Sequence, residues 1–274
     1  MAPPPKKRFG QHFLSDPRIL GRIADALAPA PTDRVLEIGP GPGGLTEQLA
    51  RRTSRLVAIE KDRDLVPALR ARFGEAAIVE GDALALDWHR VAGVAEAAAG
   101  IVPDWLVTGN IPYNITSPLI DRALTAPLPA RIVFLVQKEV AERVAAGPES
   151  RDYGALSVGV QAVARVERLF TVPAGAFQPA PKVDSAVLRL TPLEAPLVPE
   201  RTRASFRAFV VGLFGFRRKQ LARGLRELTG WPADGVGAAL ARAGLPATVR
   251  PEVLAPADFA RLHGILVDAG WGAR

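Results

Sequence analysis

The chain of 274 residues contains no cysteine, which excludes disulfides and thiolate metal sites. Its three histidines, His12, His89 and His263, are too scattered to suggest a metal cluster. No apolar run approaches the ~18 residues of a membrane-spanning helix, and residues 1–8 show no apolar leader. A soluble cytoplasmic protein without a metal is expected. Lysine is scarce as well: Lys6, Lys7, Lys61, Lys138, Lys182 and Lys219 are the only lysines among 35 basic residues.

Hydrophobic residues make up 48% of the chain, enough for an ordinary globular core. The length supports one large domain, or a large and a small one. A net charge of +7 and a pI near 10.3 favour a polyanionic partner, since each phosphate contact releases counterions. The same excess also follows from arginine replacing lysine on a solvated surface, so charge by itself is modest support for nucleic acid.

The chain is organised around Asn110, Ile111, Pro112 and Tyr113. They follow an apolar run, Trp105 to Thr108, that reads as a buried strand closed by Gly109. In open α/β sheets the ligand crevice lies at the carboxyl ends of the strands. An amide and a carbonyl can accept from an exocyclic amine, and a ring can stack on a base. A plain strand-to-helix turn would also use Asn and Pro.

A helix is expected from about Pro17 to Leu27, with Ile19, Leu20, Ile23 and Leu27 on one face and Ser15 or Asp16 as its cap. Arg34–Ile38 then reads as a strand running into Gly39-Pro40-Gly41-Pro42-Gly43-Gly44 and a helix from Leu45. Strand, glycine turn and helix together make a nucleotide fingerprint credible. The next strand, 56–59, ends in Glu60, which lies 21 positions after Gly39, a spacing suited to ribose hydroxyls. This pattern indicates an adenosine-containing cofactor and does not separate a nicotinamide dinucleotide from S-adenosylmethionine. A third strand, 77–80, leads to Asp82, either an acceptor for a cofactor adenine or an ordinary turn residue.

The alanine-rich residues 91–99 look helical. Further helices are expected over 65–73, 115–124 and 137–146, and a fifth apolar strand over 131–136. Phe177 to Ser185 reads as a rigid, proline-fixed loop before a strand at 186–190. Phe177 is either a ring opposite Tyr113 or a core aromatic. Pro192, Pro196 and Pro199 mark a linker, which divides the chain into 1–192 and 193–274. Beyond it the strand signal gives way to short helices. Arg217, Arg218, Lys219 and Arg223, with Arg226, spread charge over successive helical turns as a phosphate-facing surface or a solvated face.

Six motifs in this order resemble the small-subunit ribosomal RNA adenine dimethyltransferases. They are Arg8–Leu14, Glu37-Ile38-Gly39-Pro40-Gly41, Glu60, Gly81-Asp82-Ala83-Leu84, Asn110–Tyr113 and Phe177-x-Pro-x-Pro-Lys-Val-Asp-Ser185. The resemblance runs from about Arg8 to Leu190 and weakly beyond. It implies an α/β fold of the class I methyltransferase (Rossmann-like) type, with a mainly parallel seven-stranded sheet and a small helical C-terminal domain. It implies S-adenosylmethionine as donor, held by His12, Leu14, Gly39, Gly41, Glu60, Lys61, Asp82, Ala83 and Asn110. Asn110, Ile111, Pro112, Tyr113 and Phe177 would form the catalytic set, and Arg217, Arg218, Lys219 and Arg223 would meet RNA. The implied reaction is N6,N6-dimethylation of two adjacent adenosines in the 3′-terminal hairpin of small-subunit RNA, by a monomer acting on immature subunits.

A related family that methylates an adenine of large-subunit RNA, and confers macrolide resistance, shares Asn-Ile-Pro-Tyr and the Phe-x-Pro-x-Pro loop. Residues 137–143 and Tyr153-Gly154-x-Leu156-Ser157 look more like the small-subunit enzymes. A nicotinamide oxidoreductase would explain Gly39–Gly44 and Glu60 but leaves Asn110–Tyr113 without a role. A non-catalytic assembly factor is the third alternative, which the intact Glu60, Asp82 and Asn110 argue against.

Overall fold

A computed structural model describes residues 5–6, 9–98 and 100–272. Lys7 and Arg8 of the basic N-terminal segment, and Ala99 of the alanine-rich stretch, lie outside the described residues. The chain divides into two compact units. One comprises the chain up to Ala141 with Arg165–Glu194; the other comprises Glu142–Ala164 with the chain from Ala195.

Nine strands build the first unit among the described residues: β1 (Phe13–Leu14), β2 (Arg34–Ile38), β3 (Arg55–Glu60), β4 (Ile78–Glu80), β5 (Ile101–Asn110), β6 (Leu128–Gln137), β7 (Ala164–Val172), β8 (Phe177–Gln178) and β9 (Ser185–Pro192). Seven of them form one sheet in the order β4-β3-β2-β5-β6-β9-β7. The pairs β2·β3, β2·β5, β3·β4 and β5·β6 are parallel, and β6·β9 is antiparallel. The central strands are buried on both faces, as parallel sheets are. Val35, Leu36, Val107, Ile132, Val133, Phe134 and Leu135 are each at most 2% exposed. This is the mainly parallel seven-stranded sheet expected from the resemblance.

The chain leaves β2 for β3 on one side and returns as β5 on the other. The strand order therefore switches between β2 and β5, and a crevice opens at such a point. Helix Pro17–Leu27 is built as its sequence suggests: Asp16 accepts from the Arg18 N–H at 2.9 Å, Pro17 opens the first turn, and Leu20, Ile23, Ala24 and Leu27 are buried.

Three local expectations change. The alanine-rich stretch is not a long helix: Asp87 caps a single turn, Trp88–Val91, and Gly93 at φ +68° lets the chain leave it. The fourth apolar run is longer than expected and reaches back to Ile101, with a register irregularity between Val102 and Leu106. Phe177–Gln178 is not loop but β8, paired antiparallel with β1 so that Leu14 faces Phe177.

The second unit is helical, built from Ala155–Gln161, Arg203–Gly215, Leu221–Thr229, Ala233–Ala243 and Pro256–Asp268. It includes residues 142–164, which a linear division after 192 assigns to the first domain. The reason is packing: Tyr153 is fully buried, donates its hydroxyl to the Leu254 carbonyl at 2.7 Å and meets Phe214 edge-on.

Candidate active site

The crevice at the switch point is an open cleft of about 930 Å³ of empty space, solvent at its mouth included. Two glycines make it possible. Gly39, directly after β2, sits at φ +67°, a conformation that side chains rarely adopt. Gly109 lies opposite Ile38, and a Cβ on it would fall 2.4 Å from the Ile38 carbonyl oxygen. Only glycine lets the two strands end side by side there.

Beyond Gly109, the side-chain Nδ2 of Asn110 donates to the His12 carbonyl at 2.8 Å. A carbonyl oxygen only accepts, so the amide's NH2 end must lie on that side. Oδ1 is thereby left as an acceptor with no partner among the described residues. Ile111 has a buried side chain, and its N–H donates to Leu135 at 2.9 Å. Its own carbonyl oxygen accepts no bond among the described residues. Two free acceptors therefore stand on consecutive residues of one strand mouth.

Pro112, at φ −56°, leads into the single 3₁₀ turn Tyr113–Ile115. The Tyr113 ring lies against the His12 imidazole, with centroids 5.7 Å apart and planes 22° from parallel. Its hydroxyl is 2.8 Å from Ser185 Oγ. Burial pushes the phenol's pKa up, so the hydroxyl stays protonated at neutral pH.

On the other side of the switch point, Glu60 ends β3 at 5% exposure. Its Oε2 accepts from the Gly41 N–H at 3.1 Å and its Oε1 from the Asp62 N–H at 2.7 Å. Burial raises its pKa against these two bonds. Each oxygen keeps a lone pair for a hydroxyl donor. Asp82 follows β4. Its Oδ1 accepts from the Leu84 N–H at 2.9 Å, and its Oδ2 pairs with Lys61 at 2.7 Å. The Lys61 ammonium holds that carboxyl below the ordinary range.

The cleft thus brings together His12, Gly39, Gly41, Glu60, Lys61, Asp82, Ala83, Asn110, Ile111, Pro112 and Tyr113. Three expectations fare differently. Leu14 and Phe177 do not line it: the β1·β8 pairing turns both into the core beside Leu20 and Ile23, and Phe177 is 3% exposed. Arg217 does not present a free charge. It pairs with Glu252 at 2.6 Å and donates to the carbonyls of Arg151 and Ser150. Arg218 and Arg223 are exposed, and the Lys219 ammonium lies 5.1 Å from the Phe216 ring centroid.

The model of one family, ribosomal RNA adenine dimethylase, matches residues 4–238. The chain belongs to the ribosomal RNA adenine dimethylase family. Curated relatives support this over nearly their full length. A ribosomal RNA small subunit methyltransferase A of Geobacter sulfurreducens is 43% identical over 97% of this chain and 96% of its own. A protein of that name in Xanthomonas campestris is 44% identical over 96% of each chain. Among solved structures, a dimethyladenosine transferase from Plasmodium falciparum superposes with a TM-score of 0.81 at 25% identity, over 95% of this chain and 99% of its own. The 23S rRNA methyltransferase ErmE gives 0.67 at 30% identity, over 93% and 99%.

Within this family member, the sequence reading missed most of the N-terminal arm as a wall of the cleft. Phe9, Gly10, Gln11 and Phe13 line it together with His12. The arm is clasped from outside the motif: the Lys6 ammonium pairs with Asp62 and Asp64, and Gln11 Nε2 donates to Asp62 at 3.0 Å. The basic and aromatic composition of residues 6–14 was the available signal. Asp62 and Asp64 carried none, because they look like ordinary turn residues.

Proposed function

We propose that this protein transfers methyl groups from S-adenosylmethionine to the N6 atoms of two adjacent adenosines in the 3′-terminal hairpin of small-subunit ribosomal RNA. In this reading it acts as a cytoplasmic monomer on immature small subunits. Family membership, and relatives named for the small subunit at 43–44% identity, support that choice over a large-subunit substrate. Among the described residues no helix is long and apolar enough to cross a membrane, and no group of His, Cys, Asp or Glu could hold a metal.

The donor fits the residues present. Glu60 offers a buried carboxylate for vicinal hydroxyls, and Asp82 an acceptor for an exocyclic amine. Gly39 and Gly41 bring no side chain to the cleft, and a Cβ on Gly41 would crowd the Phe13 ring at 3.0 Å. When bound, S-adenosylmethionine supplies a methyl group already activated by a sulfonium leaving group.

The observation that carries the proposal is the pair of unpartnered acceptors, Asn110 Oδ1 and Ile111 O. An adenine amine is a weak nucleophile because its lone pair is delocalised into the ring. Accepting its two hydrogens at these oxygens favours a pyramidal nitrogen and frees the lone pair. Tyr113 offers a face for the extruded base, and stacking of this kind is worth about 1–3 kcal/mol. Neither acceptor is a strong base, so the chain contributes position and electrostatics rather than proton abstraction before attack. Solvent at the open mouth takes the proton afterwards. Arg218, Lys219 and Arg223 supply phosphate contacts from the helical unit.

The test is methyl transfer from labelled donor to undermethylated small subunits and, separately, to large-subunit RNA, with the modified bases mapped. Two dimethylated adjacent adenosines in the small-subunit hairpin are expected. Label confined to large-subunit RNA would overturn the substrate assignment.

A further inference from the structure

We propose that Ser185 is a positioning residue for adenine methylation, holding the Tyr113 ring through its hydroxyl at the angle at which a base can stack on it. This rests on the function proposed above.

The two residues are 72 positions apart, and the fold brings their oxygens to 2.8 Å. They are anchored differently. Tyr113 sits in a 3₁₀ turn at the cleft, on a segment held mainly by Pro112 and the bonds of one turn. Ser185 opens β9, is fully buried, and pairs with Gln137 across β6. The next three residues, Ala186, Val187 and Leu188, are fully buried as well. A side chain on such a strand is a fixed point, whereas one on a turn is not.

The bond lies at the tip of the ring, where a small swing of the side chain about χ1 moves the hydroxyl most. Rotation of the ring plane about χ2 leaves the hydroxyl in place and is limited by the His12 face. The His12 imidazole meets one face of the same ring, and His12 is itself tied to the Pro179 carbonyl through Nδ1 at 2.8 Å. Tyr113 is therefore fixed at its edge by the sheet and on one face by the N-terminal arm. Because Phe177 is buried in the core, Tyr113 is the aromatic side chain that the Asn110–Tyr113 segment offers to a base.

Ser185 has no sign of being a nucleophile. The phenol is the one side-chain partner of its Oγ among the described residues. The neighbouring Asp184 turns its carboxylate to the Ala174 N–H at 3.0 Å. Without a base beside it, the serine hydroxyl has a geometric use rather than a chemical one.

Ser185→Ala, Ser185→Thr, Tyr113→Phe and the Ser185→Ala/Tyr113→Phe double variant are compared with the unmodified protein at saturating donor. Ser185→Ala and Tyr113→Phe are each expected to lower kcat by about five- to tenfold, with donor Kd changed less than about twofold. The double variant should be no slower than the worse single variant, since both remove one bond. Ser185→Thr should restore the rate. Multiplicative losses in the double variant, or an unchanged kcat in Tyr113→Phe, would overturn the proposal.

A second readout is independent of catalysis. The chain has two tyrosines, so ring-labelled tyrosine gives NMR signals from Tyr113 and Tyr153 alone. Ser185→Ala should broaden or shift the Tyr113 signals and leave Tyr153 unchanged. Unaltered Tyr113 signals would refute the brace, even if the RNA substrate had been misassigned. Should Ser185→Ala not fold, Tyr113→Phe removes the same bond from the half-buried partner and carries the kinetic test.

Discussion

Asn110 Nδ2 donates to the backbone carbonyl of His12, 98 residues earlier in the chain, and this single bond decides which end of the amide is free. The N-terminal arm therefore sets the orientation of the group proposed to receive the adenine amine. Asn110→Ala should lower single-turnover methyl transfer by at least about a hundredfold, the scale seen when one preorganised polar group is removed from a reacting centre. Donor affinity, read by calorimetry, should fall far less. Equal losses in rate and affinity would make Asn110 a donor-binding residue only.

Glu60 is expected to show the reverse pattern. Its carboxylate already satisfies the N–H groups of Gly41 and Asp62. Glu60→Ala removes the proposed hydroxyl acceptor and also orphans two buried donors, each worth about 1–3 kcal/mol. Donor Kd should rise at least tenfold and the melting temperature should drop. Glu60→Gln, which keeps one oxygen, should fall between the two. An unchanged Kd in Glu60→Ala would remove the ribose assignment.

The buried Glu37 of β2 predicts a pH dependence of stability. Burial pushes its carboxyl up to about 8, helped by the charge of Glu60, while the Thr46 hydroxyl nearby opposes the shift. Among the described residues, neither Glu37 Oε2 nor Thr46 Oγ1 has a partner in hydrogen-bond geometry. The folded state binds this proton more tightly than the unfolded chain, whose pKa is near 4.5. Stability is therefore full below pH 4.5 and declines as pH rises towards 8, by at most about 5 kcal/mol. Glu37→Gln should flatten that decline and melt above the unmodified protein at pH 8.5. Parallel melting curves from pH 5 to 9 would contradict it.

Gly109→Ala tests the close approach of β2 and β5. A Cβ 2.4 Å from the Ile38 carbonyl oxygen cannot be accommodated unless a strand moves. A loss of roughly 1–3 kcal/mol in stability is expected, together with weakened donor binding, because Asn110 moves with its strand. Thermal melts and calorimetry on the same sample would show both or neither.

The basic residues of the helical unit should separate by role. Arg218→Ala, Lys219→Ala and Arg223→Ala should each lower the slope of log K against log salt for RNA binding by about one where a phosphate contact is lost. Arg217→Ala should leave the slope unchanged and lower the melting temperature by about 2–4 °C. Its guanidinium is already engaged by Glu252 and two carbonyls.

Most of the site-bearing half of the fold was legible from local pattern. The strand at Arg34–Ile38, the glycine turn, Glu60 at the end of the next strand and the Asn-Ile-Pro-Tyr mouth are contiguous features whose chemistry and spacing survive without tertiary context. The alanine-rich stretch misled because high helix propensity yields to a single glycine at φ +68° in a short loop. Phe177 was ambiguous because its surroundings are set by pairing with Leu14, on a strand 163 residues away in sequence.

By itself the sequence determined the kind of sheet, the family and the segments that reach the cleft, since burial periodicity, glycine position and motif order are properties of neighbouring residues. Tertiary structure alone decided which end of the Asn110 amide is free, that Phe177 packs into the core, that Arg217 is consumed by Glu252 and that Ser185 meets Tyr113. Each of these joins residues far apart in the chain, and a hydrogen bond or a buried ring depends on where the sheet brings them, which no local pattern encodes.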